Sequence, residues 1–199
     1  MREDCENFSM HGFCNFNRNS ICLIFLHFRF NLIFKSVLRL IPVMADNNDE
    51  SIYPVRDPDM GKAGRALIIN VEKKRRNTAK DVKKMKQVFE YLNLVVEEPF
   101  LKDPTANEIK EEVIRFRNKI KLEDPKDFDF IAVCVMAHGK EGFISGSDDE
   151  FVDLRKDVMQ MFSNENCNVL DKKPRLFFFQ ACRGKKKDFG TSAPNTNRW

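Results

Sequence analysis

Phe128 to Gly139 reads FDFIAVCVMAHG, and Pro174 to Gly184 reads PRLFFFQACRG. Each stretch opens with a continuous apolar run too short for a helix of ordinary length and rich in strand formers. Such runs are expected of strands buried on both faces, as in a parallel sheet flanked by helices. Each then stops at a chemically capable residue: His138 before Gly139 in the first, Cys182 between Ala181 and Arg183 in the second. In open α/β sheets, sites form beyond the carboxyl ends of strands. If these two strands are parallel neighbours, His138 and Cys182 leave the sheet at the same edge.

The surrounding sequence supplies the helices such a sheet requires. Arg65 to Asn70 (RALIIN) is a further strand-length apolar run, followed by the basic loop VEKKRRN. Thr78 to Leu92 carries Val82, Met85, Phe89 and Leu92 on one helical face, with Asn77 or Thr78 available to cap its start. NLVVEE (Asn93 to Glu98) reads as another strand. Thr105 and Glu108 have the spacing of a capping box and open a helix with Ile109, Val113, Phe116 and Ile120 on its apolar face. EGFISGSDDEFVD, from Glu141 to Asp153, has the turn residues of a hairpin, and Leu154 to Phe162 reads as helix. Strands alternating with helices predict a three-layer α/β/α sandwich with a mainly parallel central sheet.

Composition fits that class. The chain has 199 residues, 42% hydrophobic and 32% charged, with a net charge of +4, enough length to bury a core. The basic runs KKRR (Lys73 to Arg76) and RGKKKD (Arg183 to Asp188) lack an interleaved aromatic stacking set and read as solvated loops, not as nucleic-acid contacts; the first also has the composition of a nuclear-import patch. The six cysteines, Cys5, Cys14, Cys22, Cys134, Cys167 and Cys182, show no CxxC or zinc-finger spacing, so reduced thiols in the cytoplasm are expected. Cys134 and Cys167 read as small buried hydrophobes, and His11 and His27 as structural. SGSDDE lacks calcium-loop spacing. No metal and no cofactor is predicted.

Residues 1–43 stand apart as an apolar, basic extension ending in SICLIFLHFRFNLIFKSVLRLIPV. A membrane span there is interrupted by Arg29, Lys35 and Arg39, each costly at depth, and no small-residue cleavage site marks a secretory signal. MADNNDE, from Met44, has the polar character of a native start, so the preferred reading is an upstream extension and the membrane anchor is the alternative. Residues 44–60 contain Pro54 and Pro58 and read as a flexible lead-in; residues 189–199 read as an unstructured tail.

Chemically, a thiol needs a base to become thiolate at neutral pH, and an imidazole titrates in the required range. The glycine at 139 permits close backbone approach to a substrate, and the N–H groups of Gly139 and Cys182 together have the makings of an oxyanion hole. QACRG, preceded roughly 44 residues upstream by MAHGKEGF, resembles the large subunit of the caspase family, whose own signature includes a histidine at such a distance before the cysteine. KDPTANEI, VMAHGKEGF and NENCNVL resemble stretches of its short-loop, epidermal branch, and the likeness runs in unbroken order over residues 61–188.

The resemblance implies a cysteine endopeptidase that cleaves after aspartate through an acyl-enzyme, acting in apoptosis or epithelial differentiation. Cys182 would be the nucleophile, His138 the base and acid, and Gly139 an oxyanion donor. Gln180 would help hold the substrate aspartate, together with an arginine from the loop after the first strand. In this sequence that loop is short and lacks the family's arginine-serine-glycine context; Arg75 is the positional candidate and Arg76 the second. The family's small subunit supplies further strands, another arginine and most of the remaining cleft, and no matching segment occurs here. The expected partners are therefore protein substrates with aspartate at the cleaved bond and a caspase small subunit or full-length caspase. A fragment that binds and modulates a full-length caspase is the alternative function; a clan relative specific for basic residues or asparagine is a third reading, against which QACRG argues.

Overall fold

The computed structural model describes Ile21–Phe25 and residues 61–181. Its central sheet has five strands: β1 (Ile21–Phe25), β2 (Gly64–Asn70), β3 (Leu94–Val96), β4 (Phe130–Met136) and β8 (Arg175–Gln180), in the order β1-β8-β4-β2-β3. Every pairing is parallel. Between β4 and β8 in sequence lies a small antiparallel sheet of β5 (Gly139–Lys140), β6 (Phe143–Ser145) and β7 (Phe151–Asp153). Helix α1 spans Thr78–Tyr91 and helix α2 spans Ala106–Lys121.

The two helices cover opposite faces of the central sheet because strand side chains alternate. Leu67, Ile69, Ile131, Val133, Val135, Phe177 and Phe179 pack with Ile109, Val113, Phe116 and Ile120 of α2. Their neighbours Ala66, Ile68, Ala132, Cys134, Met136, Leu176 and Phe178 pack with Met85, Val88 and Phe89 of α1. The three-layer α/β/α architecture follows from these two cores. β4 is buried along its whole length, as its continuous apolar run requires. Phe178 meets Phe89 edge-on at 5.5 Å between centroids, while Phe177 and Phe179 stack on the other face at 6.1 Å. A buried phenylalanine contributes about 1.5–3 kcal/mol relative to an exposed one, so LFFF helps to fasten both layers.

Helix α2 begins as the sequence indicates. The Thr105 hydroxyl accepts from Glu108 N, and Glu108 Oε2 accepts from Thr105 N at 2.8 Å. The start of α1 differs from expectation: Asn77 occupies the N-cap in the left-handed region, φ 60°, and makes no side-chain cap bond. The orphan N–H groups of the first turn are therefore not capped by the Asn77 side chain, whose backbone lies outside the extended region usual for an N-cap. Residues 154–162 form a π-helical turn followed by a 3-10 turn, not a regular helix. The edge of β8 away from β4 carries β1, so part of the segment read as an extension lies within the sheet. The remainder of that segment, the lead-in and the tail lie outside the described residues.

Candidate functional site

The β4–β8 register sets the site. Ile131 pairs with Arg175 and Met136 with Gln180, and the ladder continues past the strands through a hydrogen bond from Ala137 N to Gln180 O, 3.0 Å. His138 and Ala181 follow at the same edge of the sheet. Cys182, the next residue, lies outside the described residues. His138 is half-buried. Its carbonyl accepts from Ser145 N at 2.8 Å, which ties it to β6. Its Nε2 is buried and has no hydrogen-bond partner among the described residues.

Gly139 fits closely between β6 and the end of β8. A Cβ built there would run into the Phe143 carbonyl oxygen and stand 3.2 Å from the Ala181 Cβ. The position therefore needs a residue without a side chain, and its backbone is held against the residue that precedes Cys182.

Arg75 comes from the loop after β2 and turns back over the strand ends. Its Nη1 donates to Asn70 Oδ1 at 2.8 Å and to the carbonyls of Val71 and Met136 at 3.0 Å each. Its Nη2 lies 3.3 Å from Gln180 Oε1 and 3.5 Å from Asp81 Oδ2. The side chain is only 9% exposed, whereas Arg76 is exposed. Of the two loop arginines, Arg75 is thus the one brought to Gln180. The loop itself is pinned by Asp103, whose Oδ1 accepts from Glu72 N and Lys73 N at 2.9 Å each.

Asp81, on the first turn of α1, was not among the residues singled out by the sequence. The Gln180 amide hydrogen-bonds its carboxylate as well. Burial pushes the Asp81 carboxyl above the ordinary aspartate range, against the pull of Arg75, Lys84 and the Gln180 bond. Only its i+6 spacing from Arg75 on the chain hinted at a meeting, and a loop conformation had to be known before that spacing meant anything.

On another side of His138 is a cleft of about 260 Å³ lined by Val71, Lys73, Lys74, His138, Ser145, Gly146 and Asp149. Lys73 Nζ bonds Ser147 O at 2.5 Å and Asp149 Oδ2 at 2.8 Å. Cys134 and Cys167 are free and buried, and burial drives both thiols up, which suits the inert role expected of them. Among the described residues no group of acidic, histidine or cysteine side chains is arranged to hold a metal ion, and no helix is long and apolar enough to cross a membrane.

Residues 63–198 match the family model described as the caspase domain. Human Caspase-14 is 38% identical over 133 residues, 66% of this chain and 53% of its own length; mouse Caspase-14 is 37% identical over 133 residues, 66% and 50%. Chicken Caspase-2 is 39% identical over 88 residues, 44% of this chain and 20% of its own length. The chain spans about half the length of the two Caspase-14 relatives. The crystal structure of Caspase-1 from Spodoptera frugiperda superposes with a TM-score of 0.59 at 23% identity, covering 78% of this chain and 60% of that one, a likeness of fold.

Proposed function

The chain belongs to the caspase family, and from that premise we propose that it provides the catalytic half of a cysteine endopeptidase that cleaves after aspartate. The observation that carries this reading is the contact of Arg75 Nη2 with Gln180 Oε1, 3.3 Å. It joins a buried cation and an amide at the sheet edge from which His138 also projects. A guanidinium and an amide so placed suit a carboxylate, which accepts charge-assisted hydrogen bonds.

In this reading His138 takes the Cys182 proton, and the thiolate attacks the main-chain carbonyl carbon of the substrate aspartate. The N–H groups of Gly139 and Cys182 stabilise the oxyanion as it develops. His138 returns the proton to the leaving amine. The resulting thioester is then hydrolysed by water that His138 deprotonates. The clefts beyond the aspartate would be completed by a caspase small subunit or a full-length caspase, and protein substrates are the other partners. The free thiols at Cys134 and Cys167 support a cytoplasmic setting, with nuclear import as a second location; apoptosis or epithelial differentiation is the process assigned by family likeness.

The test is covalent labelling. The full chain is incubated with a peptidyl aspartyl fluoromethyl ketone and weighed by mass spectrometry beside Cys182→Ala and His138→Ala. The expected result is a single adduct in the wild-type chain, none in Cys182→Ala, and labelling slowed at least about a hundredfold in His138→Ala. A folded wild-type chain that takes up no label overturns the reading.

A further inference from the structure

The two donors assigned to the substrate carboxylate already converge on a carboxylate of this chain. Arg75 Nη2 is 3.5 Å from Asp81 Oδ2, and the Gln180 amide hydrogen-bonds the same group. Resting on the functional reading above, we propose that Asp81 is a specificity-determining positioning residue: a resident stand-in that keeps Arg75 and Gln180 converged and yields them to the carboxylate of the substrate.

The physical need is plain. The Arg75 side chain is 9% exposed and that of Asp81 19%. A guanidinium so far from water is costly without an anion beside it. Nη1 is committed to Asn70 and to the carbonyls of Val71 and Met136, which accept hydrogen bonds but bring no charge. Asp81 supplies the charge while the cleft is empty. Those three bonds also fix the direction in which Nη2 points, so the substrate's carboxylate meets a donor already aimed.

Arrival of a second carboxylate changes the balance. Lys84 also faces Asp81 but is exposed, so its charge is screened by solvent. Within the half-buried place Arg75 and Asp81 sum to neutrality, and a bound aspartate adds one negative charge there. Uptake of a proton by Asp81 restores neutrality. The groups facing Asp81 are Arg75 from the loop after β2, Gln180 from β8, Lys84 from its own helix and the Cys134 thiol from β4; the thiol is pushed up and stays neutral, and no second acid shares the place among these. Binding of an acidic side chain is thus coupled to protonation of Asp81, and binding of its amide analogue is not. The preference for aspartate over asparagine rises as the pH falls towards the raised Asp81 range.

The experiment uses the full chain and two fluoromethyl ketones, acetyl-aspartyl and acetyl-asparaginyl. Cys182 adducts are timed by mass spectrometry between about pH 5 and 8, above the ordinary aspartate range of the probe itself. The ratio of the two rates cancels the titration of Cys182 and His138. Wild-type chain should show a ratio that climbs as pH falls. Asp81→Asn keeps an acceptor for Arg75 but removes the competing charge. Its ratio should be about fivefold higher at neutral pH and flat with pH. Asp81→Ser is read in the same way and serves if the amide does not fold. A variant ratio that follows the wild-type curve, or lies below it throughout, overturns the inference and leaves the functional reading standing. A folded wild-type chain labelled by neither reagent overturns the functional reading, and the inference with it.

Discussion

Gly139 is held by its neighbours on two sides: the Phe143 carbonyl lies where a Cβ would go, and the Ala181 Cβ is 3.2 Å from that point. Gly139→Ala must therefore push β5 from β6 or from the end of β8. Overpacking of this kind costs about 1–3 kcal/mol, and urea unfolding of the variant should register a loss in that range. An unchanged midpoint would show that β5 is free to shift, and the position would then say little about the backbone beside Cys182. The sequence pointed to Gly139 through its place directly after a histidine that follows a strand end. It also placed Arg75 ahead of Arg76, but by position alone, because nothing in a basic run distinguishes the member that folds inward. That choice rests on acceptors scattered along the chain at Asn70, Met136 and Gln180. Asp81 was illegible for the same reason: its meaning comes from β8, which arrives a hundred residues later.

Among the elements, α2 was the most readable, since its signals are local. Thr105 and Glu108 satisfy each other's backbone N–H groups within one turn. Asp148 Oδ1, 3.1 Å from Ala106 N, adds a cap from the loop after β6, and that loop borders the cleft beside His138. Thr105→Ala should lower stability by about 1 kcal/mol, measured by chemical denaturation at neutral pH. The Glu108 carboxyl is held below its usual range by the Thr105 N–H first and the Thr105 hydroxyl next. With the folded value depressed, its contribution is present above the ordinary glutamate range and lost as pH falls through the lowered value. A Glu108→Gln variant should therefore be less stable than the parent at neutral pH and converge with it in acid; parallel curves across the whole range would refute the box as an energetic device. At α1 the same kind of local reading failed. Asn77 takes a left-handed backbone at the end of the loop that carries Arg75 over the strand ends, and the local capping preference is not realised there.

At the scale of the molecule, the sheet has an edge whose occupant the sequence did not foretell. β1 pairs with β8 from Ile21 opposite Arg175 to Phe25 opposite Phe179, partners some 150 residues apart in sequence, so no local pattern could announce it. Periodicity revealed that β4 and β8 are buried strands; it was silent on what lies beyond β8. The consequence is energetic as well as topological. β8 is buried from Arg175 to Phe179, and its backbone N–H and C=O groups on the side away from β4 are met by β1. Without that strand they would face solvent along an apolar segment, the arrangement that templates pairing with other chains. A chain lacking residues 1–43 should consequently self-associate more strongly than the full chain. Sedimentation velocity over a range of concentrations would show a rising average mass for the shortened protein. If both forms sediment alike at every concentration, the β8 edge does not depend on Ile21–Phe25 for cover, and these residues contribute nothing to the sheet in solution. If the shortened chain associates, and a separate peptide spanning residues 21–43 returns it to the behaviour of the full chain, the edge is a true strand site, filled in this protein by its own N-terminal segment.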